Sequence, residues 1–120
     1  MHNILLFDPD DRPFEVAAIE RVFRSERGFY DIRLNEPGGA YIEAEFTLGD
    51  YKTIARLGDD RSTISLSGTS DAALQAALIL QNNLGTPLRM IDTEYSFDLI
   101  LRGIPDVETL RAAIQNAQTG

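Results

Sequence analysis

The chain reads as an α+β domain: a mainly antiparallel sheet of five to seven strands, with about three helices largely on one face. Two observations predict this class. Apolar residues recur at every second position between Phe29 and Ser67, but at helical spacing in three other segments. Short glycine-bearing turns join the alternating segments, which suits hairpins and not the long crossovers that parallel strands need. Residues 1–120 are expected to form one domain, since a chain of this length buries roughly two-thirds of its unfolded surface around a single core.

Asn3 to Phe7 is a short apolar strand. Asp10 or Asp11 is placed to cap a helix with Pro13 near its first turn. In that helix Val16, Ile19, Val22 and Phe23 share a face opposite Glu15, Glu20, Arg21 and Arg24, and Gly28 stops it. Tyr30, Ile32 and Leu34 then alternate with Asp31 and Arg33. Glu36 to Gly39 turns the chain into a strand where Ile42, Ala44 and Phe46 alternate with Tyr41, Glu43 and Glu45. Leu48-Gly49-Asp50 leads to Tyr51–Leu57, and Gly58-Asp59-Asp60 to Thr63–Ser67. Together these make an antiparallel meander with one wet face.

Ser70 or Asp71 opens an alanine-rich helix that is apolar nearly all round and closes between Asn83 and Gly85. Leu88–Ile91 and Phe97–Leu101 form a further hairpin across the turn at Asp92 to Tyr95. Pro105 and Asp106 start the last helix, which aligns Val107, Leu110, Ile114 and Ala117. Gly68-x-Ser70-Asp71 matches Gly103-x-Pro105-Asp106 at an offset of 35 residues. A tandem strand–strand–helix repeat with paired sheets would explain the match.

The residue inventory excludes much chemistry. There is no cysteine, one histidine (His2) and one lysine (Lys52), with 19 carboxylates against 11 cations and a net charge of −8. Thiolate chemistry and disulfides are absent, and Ser62, Ser65, Ser67 and Ser70 have no histidine in the second half of the chain to activate them. No run approaches the roughly 20 apolar residues of a membrane span. So acidic a chain, with its arginines dispersed, is repelled by phosphate backbones and anionic membranes. No nucleic acid, membrane, metal or cofactor is expected, and the location is expected to be cytoplasmic.

Asp8-Pro9-Asp10-Asp11 follows an apolar strand, an arrangement that can hold Mg²⁺. The segment resembles the opening of a response-regulator receiver domain, which implies a phosphoacceptor aspartate ending a buried strand and a lysine late in the chain. Asp50 lies instead in a Gly-Asp turn, and the sole lysine is Lys52. The same residues resemble the aspartate pair of haloacid-dehalogenase-type phosphatases, but Arg12 stands where that family has a small residue. Helix capping by Asp10 and Asp11 is the reading adopted.

Tyr41, Glu43 and Glu45 project from one strand face, with Asp59 and Asp60 at a nearby turn, and Asp92, Glu94 and Tyr95 form a second acidic turn. Acid interleaved with tyrosine suits docking onto a basic protein surface, because tyrosine supplies contact area at little entropic cost. These eight residues are the candidate partner contacts. In size, acidity and lack of catalytic equipment the chain is similar to bacterial immunity proteins of polymorphic and secreted toxin systems. That resemblance implies a cytoplasmic, non-enzymatic inhibitor that occludes a basic toxin or enzyme site. A homodimeric scaffold and a carboxylate- or Mg-dependent enzyme are the alternatives.

Overall fold

Strict alternation along the strands gives this protein a sheet with two unlike faces. The computed structural model describes residues 2–35, 41–58 and 61–119. Its elements run β1 (Asn3–Phe7), α1 (Val16–Ser25), β2 (Phe29–Asn35), β3 (Tyr41–Leu48), β4 (Tyr51–Leu57), β5 (Ile64–Ser67), α2 (Asp71–Leu84), β6 (Arg89–Asp92), β7 (Asp98–Ile100) and α3 (Val107–Thr119). The seven strands form one sheet in the order β2-β3-β4-β5-β1-β6-β7, and every neighbouring pair is antiparallel. The α+β class and its three helices therefore stand as expected.

One face of the sheet is sealed. Ile4 and Leu6 of β1, Ile42, Ala44 and Phe46 of β3, Ala55 and Leu57 of β4, Ile64 and Leu66 of β5, and Met90 of β6 are all buried on it. Helix α2 lies over β3, β4 and β5, α1 packs on β2, β3 and α2, and α3 packs on β7 and α2. The broad apolar girth of α2 reflects this central seat: Ala72, Ala73, Leu74, Ala76, Ala77, Leu78 and Leu80 are all buried. Gly85 ends the helix in the left-handed conformation. Thr53 is the polar exception within β4; its hydroxyl donates to the Ser67 carbonyl at 2.8 Å, which removes the cost of burying it.

Three expectations change. Helix α1 starts at Val16, not at an Asp10 or Asp11 cap. Asp8 Oδ1 accepts the Asp10 N–H at 2.7 Å, Asp11 takes a φ of +60°, and the Phe14 N–H donates to the Arg61 carbonyl at 2.6 Å. The segment is thus spent on a turn and a tether, and a helix cannot begin before it is released. In β2, Tyr30 pairs with Glu45 but Arg33 pairs with Glu43, so one extra residue bulges at Asp31, whose φ is +55°. Tyr30 and Leu34 therefore point to opposite faces, where unbroken alternation put them together. The turn expected at Glu36 to Gly39 lies outside the described residues.

The third change concerns the repeat. Gly68 and Gly103 both adopt positive φ ahead of a helix, and each follows a hairpin. The two hairpins do not pair with each other, because β1 stands between β5 and β6. The match is a shared grammar for starting helices; a tandem unit with paired sheets is not shown. Asp106 supplies that grammar at α3, since its Oδ1 accepts the Thr109 N–H at 2.8 Å. The same bond holds the Asp106 carboxyl below the usual range.

Gly28 sits closely against the covered layer. Its φ is +99°, and a Cβ placed there would sit 2.6 Å from the Phe46 ring. That ring stacks with Phe29, whose ring packs in turn on Phe23, with centroid separations of 4.8 and 4.9 Å. Gly28→Ala is expected to lower unfolding free energy by about 3 kcal/mol or more, through backbone strain plus overpacking. Gly49→Ala, at φ +61° with open space around it, should cost only about 1 kcal/mol. Urea denaturation of the two variants checks the contrast.

Candidate functional site

Among the described residues no helix packs on the other face of the sheet. By strand parity it presents Asn3, Leu5 and Phe7 from β1, Ser65 and Ser67 from β5, Lys52, Ile54 and Arg56 from β4, and Glu43, Glu45 and Thr47 from β3. Arg89 and Ile91 of β6 and Asp98 and Ile100 of β7 extend it. Leu5, Phe7, Ile54 and Ile91 are only half-buried, and Ile100 is 46 % exposed. Apolar side chains thus concentrate around β1, β6 and β7. Near the centre a shallow depression of about 120 Å³ is lined by Asn3, Ile54, Arg56, Ser65 and Ser67.

Toward β2 the face turns into a ladder of opposite charges. Arg33 pairs across the strands with Glu43, which stands opposite Arg56. Arg56 reaches the Glu43 carboxylate at 3.4 Å, and Lys52 reaches Glu45 at 2.9 Å. Arg33 binds Asp31 at 2.9 Å, and Tyr30 shares a hydrogen bond of 2.8 Å with Thr47. A hydrogen bond with Glu45, and then Arg33, holds the Asp31 carboxyl below its ordinary range; Glu45 in turn raises Lys52, and Asp31 raises Arg33.

At the far edge Arg89 is the hub. Its guanidinium lies 5.1 Å from the Phe7 ring centroid and donates to both Asp98 oxygens and to the Tyr95 hydroxyl. Tyr95 also donates to Asp98 at 2.9 Å. This pairing raises Arg89, and Arg89 together with the Tyr95 hydroxyl lowers Asp98. Solvent screens exposed pairs of this kind, so cancelling charge is their larger consequence. Arg33, Lys52, Arg56 and Arg89 are matched here by Asp31, Glu43, Glu45 and Asp98. Among the described residues the negative excess lies in the β1–α1 loop, at Asp50, at Asp92 and Glu94, and at the start of α3.

The eight expected contacts are therefore divided. Glu43 and Glu45 do share the open face, but each is ion-paired and only 22 % of its side chain is exposed. Tyr41 opens β3 in register with Asn35. Asp59 and Asp60 lie outside the described residues. Asp92 is 5 % exposed and turned to the covered face, where its carboxylate accepts from the Ser96 N–H and hydroxyl. Glu94 is exposed beside His2 at 3.5 Å, and Tyr95 is 60 % exposed with its hydroxyl on Arg89 and Asp98. Arg33, Arg56 and Lys52, and the apolar set Leu5, Phe7, Ile54, Ile91 and Ile100, were missed. Strand parity in β1, β4 and β6 carried the signal for the apolar members.

Two carboxylates of the Asp8–Asp11 segment are already engaged. Asp8 is buried and engaged in its own turn, and Asp10 pairs with Arg12 at 3.9 Å. Among the described residues no three acidic or histidine side chains converge to hold a metal. No family model, curated protein or solved structure matches the chain.

The lowered Asp98 has a consequence for acid stability. Its ionised form is favoured by folding, so its contribution is present above the unfolded value of about 4 and is lost as pH falls through the lower folded one. Asp98→Asn removes that contribution. Between about pH 5 and about pH 2 the wild type should therefore lose more melting temperature than the variant. Parallel melting curves across that window would contradict the pairing.

Proposed function

We propose that the protein is a non-catalytic binding module that seats a basic-surfaced protein partner on its uncovered sheet face. It would act as an inhibitor of a toxin or enzyme, in the manner of the small acidic immunity proteins it is similar to. The observation that carries this reading is the uncovered face itself: seven strands wide, with Leu5, Ile54, Ile91 and Ile100 half-buried or exposed and ringed by matched charges. Core apolar groups inside a polar rim are the anatomy of a recognition patch.

Charge divides the work between approach and contact. The net charge of −8 draws a basic partner from a distance. At contact, Glu43 and Glu45 can trade Arg56 and Lys52 for cations of the partner, and carboxylates imitate the phosphate oxygens that a nucleic-acid-directed toxin binds. A cytoplasmic setting fits such a role, since inhibition must precede damage to the producing cell.

The test pairs the chain with the product of the adjacent reading frame, with binding followed by calorimetry at low and high salt. A one-to-one complex that is tighter at low salt is expected. Ile100→Lys combined with Glu43→Lys should weaken it at least about hundredfold, since one change puts a charge among the apolar groups and the other reverses a charge in the ladder beside them. Thermal unfolding of that variant should stay close to wild type, and Glu20→Lys on α1 should bind normally. No complex, or a complex indifferent to the double variant, contradicts the reading. A free species of twice the 13.3 kDa chain mass, dispersed by Ile100→Lys, would instead assign the face to a second copy.

A further inference from the structure

On the opposite, helix-covered side of the sheet, a cavity of about 340 Å³ opens between β1, α2, α3 and the β6–β7 turn. Ile4, Leu74 and Phe97 form its buried apolar wall, and half-buried Ile114 of α3 lines it as well. The Asp92 carboxylate also lines it, although this residue is 95 % buried, as its 5 % exposure states. Register explains the juxtaposition: Ile4 and Asp92 are direct cross-strand partners in the β1–β6 ladder. An apolar wall therefore abuts a buried acid.

That acid lacks a counter-charge. Its two oxygens accept from the Ser96 N–H at 2.6 Å and the Ser96 hydroxyl at 2.5 Å, both neutral donors. No arginine, lysine or histidine among the described residues pairs with it: Arg89 is on Asp98, and of the two basic side chains that line the cavity His2 is on Glu94 and Arg111 is on Asp71 at 2.6 Å. A carboxylate out of water is costly until a cation joins it. The field of a chain with net charge −8 further favours a cation over an anion at this mouth.

We propose that this cavity binds a small organic cation, a protonated amine on an apolar body, with the ammonium on Asp92 and the body against Ile4, Leu74 and Phe97. The volume lies at the small end of ligand sites and admits about ten non-hydrogen atoms. The site is independent of the docking face, since it lies on the other side of the sheet.

The test is an NMR titration in phosphate buffer with n-hexylammonium, 1-hexanol and hexanoate. Hexylammonium should bind at least about tenfold more tightly than the alcohol, the worth of a hydrogen bond to a charged group, with hexanoate weakest. Amide shifts should centre on Ile4, Leu74, Asp92 and Ile114. Asp92→Asn keeps an acceptor for Ser96 and should erase the preference for the amine while leaving alcohol binding in place. Should that variant not fold, Ile114→Trp fills the cavity and should abolish binding of both ligands. Equal affinity of amine and alcohol for the wild type overturns the proposal. So does an amine preference that survives either variant, or amine shifts that centre on Asp8 to Asp11.

Discussion

The whole molecule depends on β1 standing between β5 and β6. Its backbone is shared by two strands that arrive far later in the chain, through registers that set Ile4 opposite Leu66 on one side and Asp92 on the other. Asn3 fastens the junction. Its side-chain oxygen accepts the Gly68 N–H at 3.1 Å across 65 residues, and its backbone exchanges hydrogen bonds with Thr93. Without this strand the β2–β5 meander and the β6–β7 hairpin would be two small sheets, each with exposed edges. With it they share one core, in which Ile4 and Leu6 are fully buried beneath the helices.

The same constraint divides the surface into an uncovered sheet face and a charged remainder. Because period-two alternation sends every second residue of seven strands away from the helices, a broad face is left without a cover. Matched charges keep that face close to neutral on an otherwise acidic protein. A partner attracted at long range by the loops and helices would then meet apolar groups and exchangeable ion pairs. The expected display of bare carboxylates thus gives way to a patch whose acids are already held by Arg56 and Lys52. Under the proposed reading, recognition through it would depend on shape and pair exchange more than on raw charge.

Local patterns in the chain made the strands, most turns and the helical faces legible, because period and glycine placement are properties of neighbouring residues. The α+β class followed from them. Nothing local marks β1 as a central strand, since Ile4 to Phe7, four apolar residues in a row, read alike at an edge or in the middle. The bulge at Asp31 was hidden for a related reason: an extra residue shows only against its partner strand. The late start of α1 depends on the Phe14 bond to Arg61, a contact 47 positions away along the chain. The ion pairs of Glu43 and Glu45 likewise required the β3–β4 register. Asp92 looked like one more polar turn residue until its pairing with Ile4 placed it against the core.

Hydroxyl-radical footprinting of the free and partner-bound protein tests the central claim most directly. In the free chain Leu5, Phe7, Ile54, Ile91 and Ile100 should be oxidised, while Ile4, Leu6 and Met90 are spared. In the complex the first group should become protected together. Unchanged labelling of that group, with protection gathered on α1 or α3 instead, would contradict it.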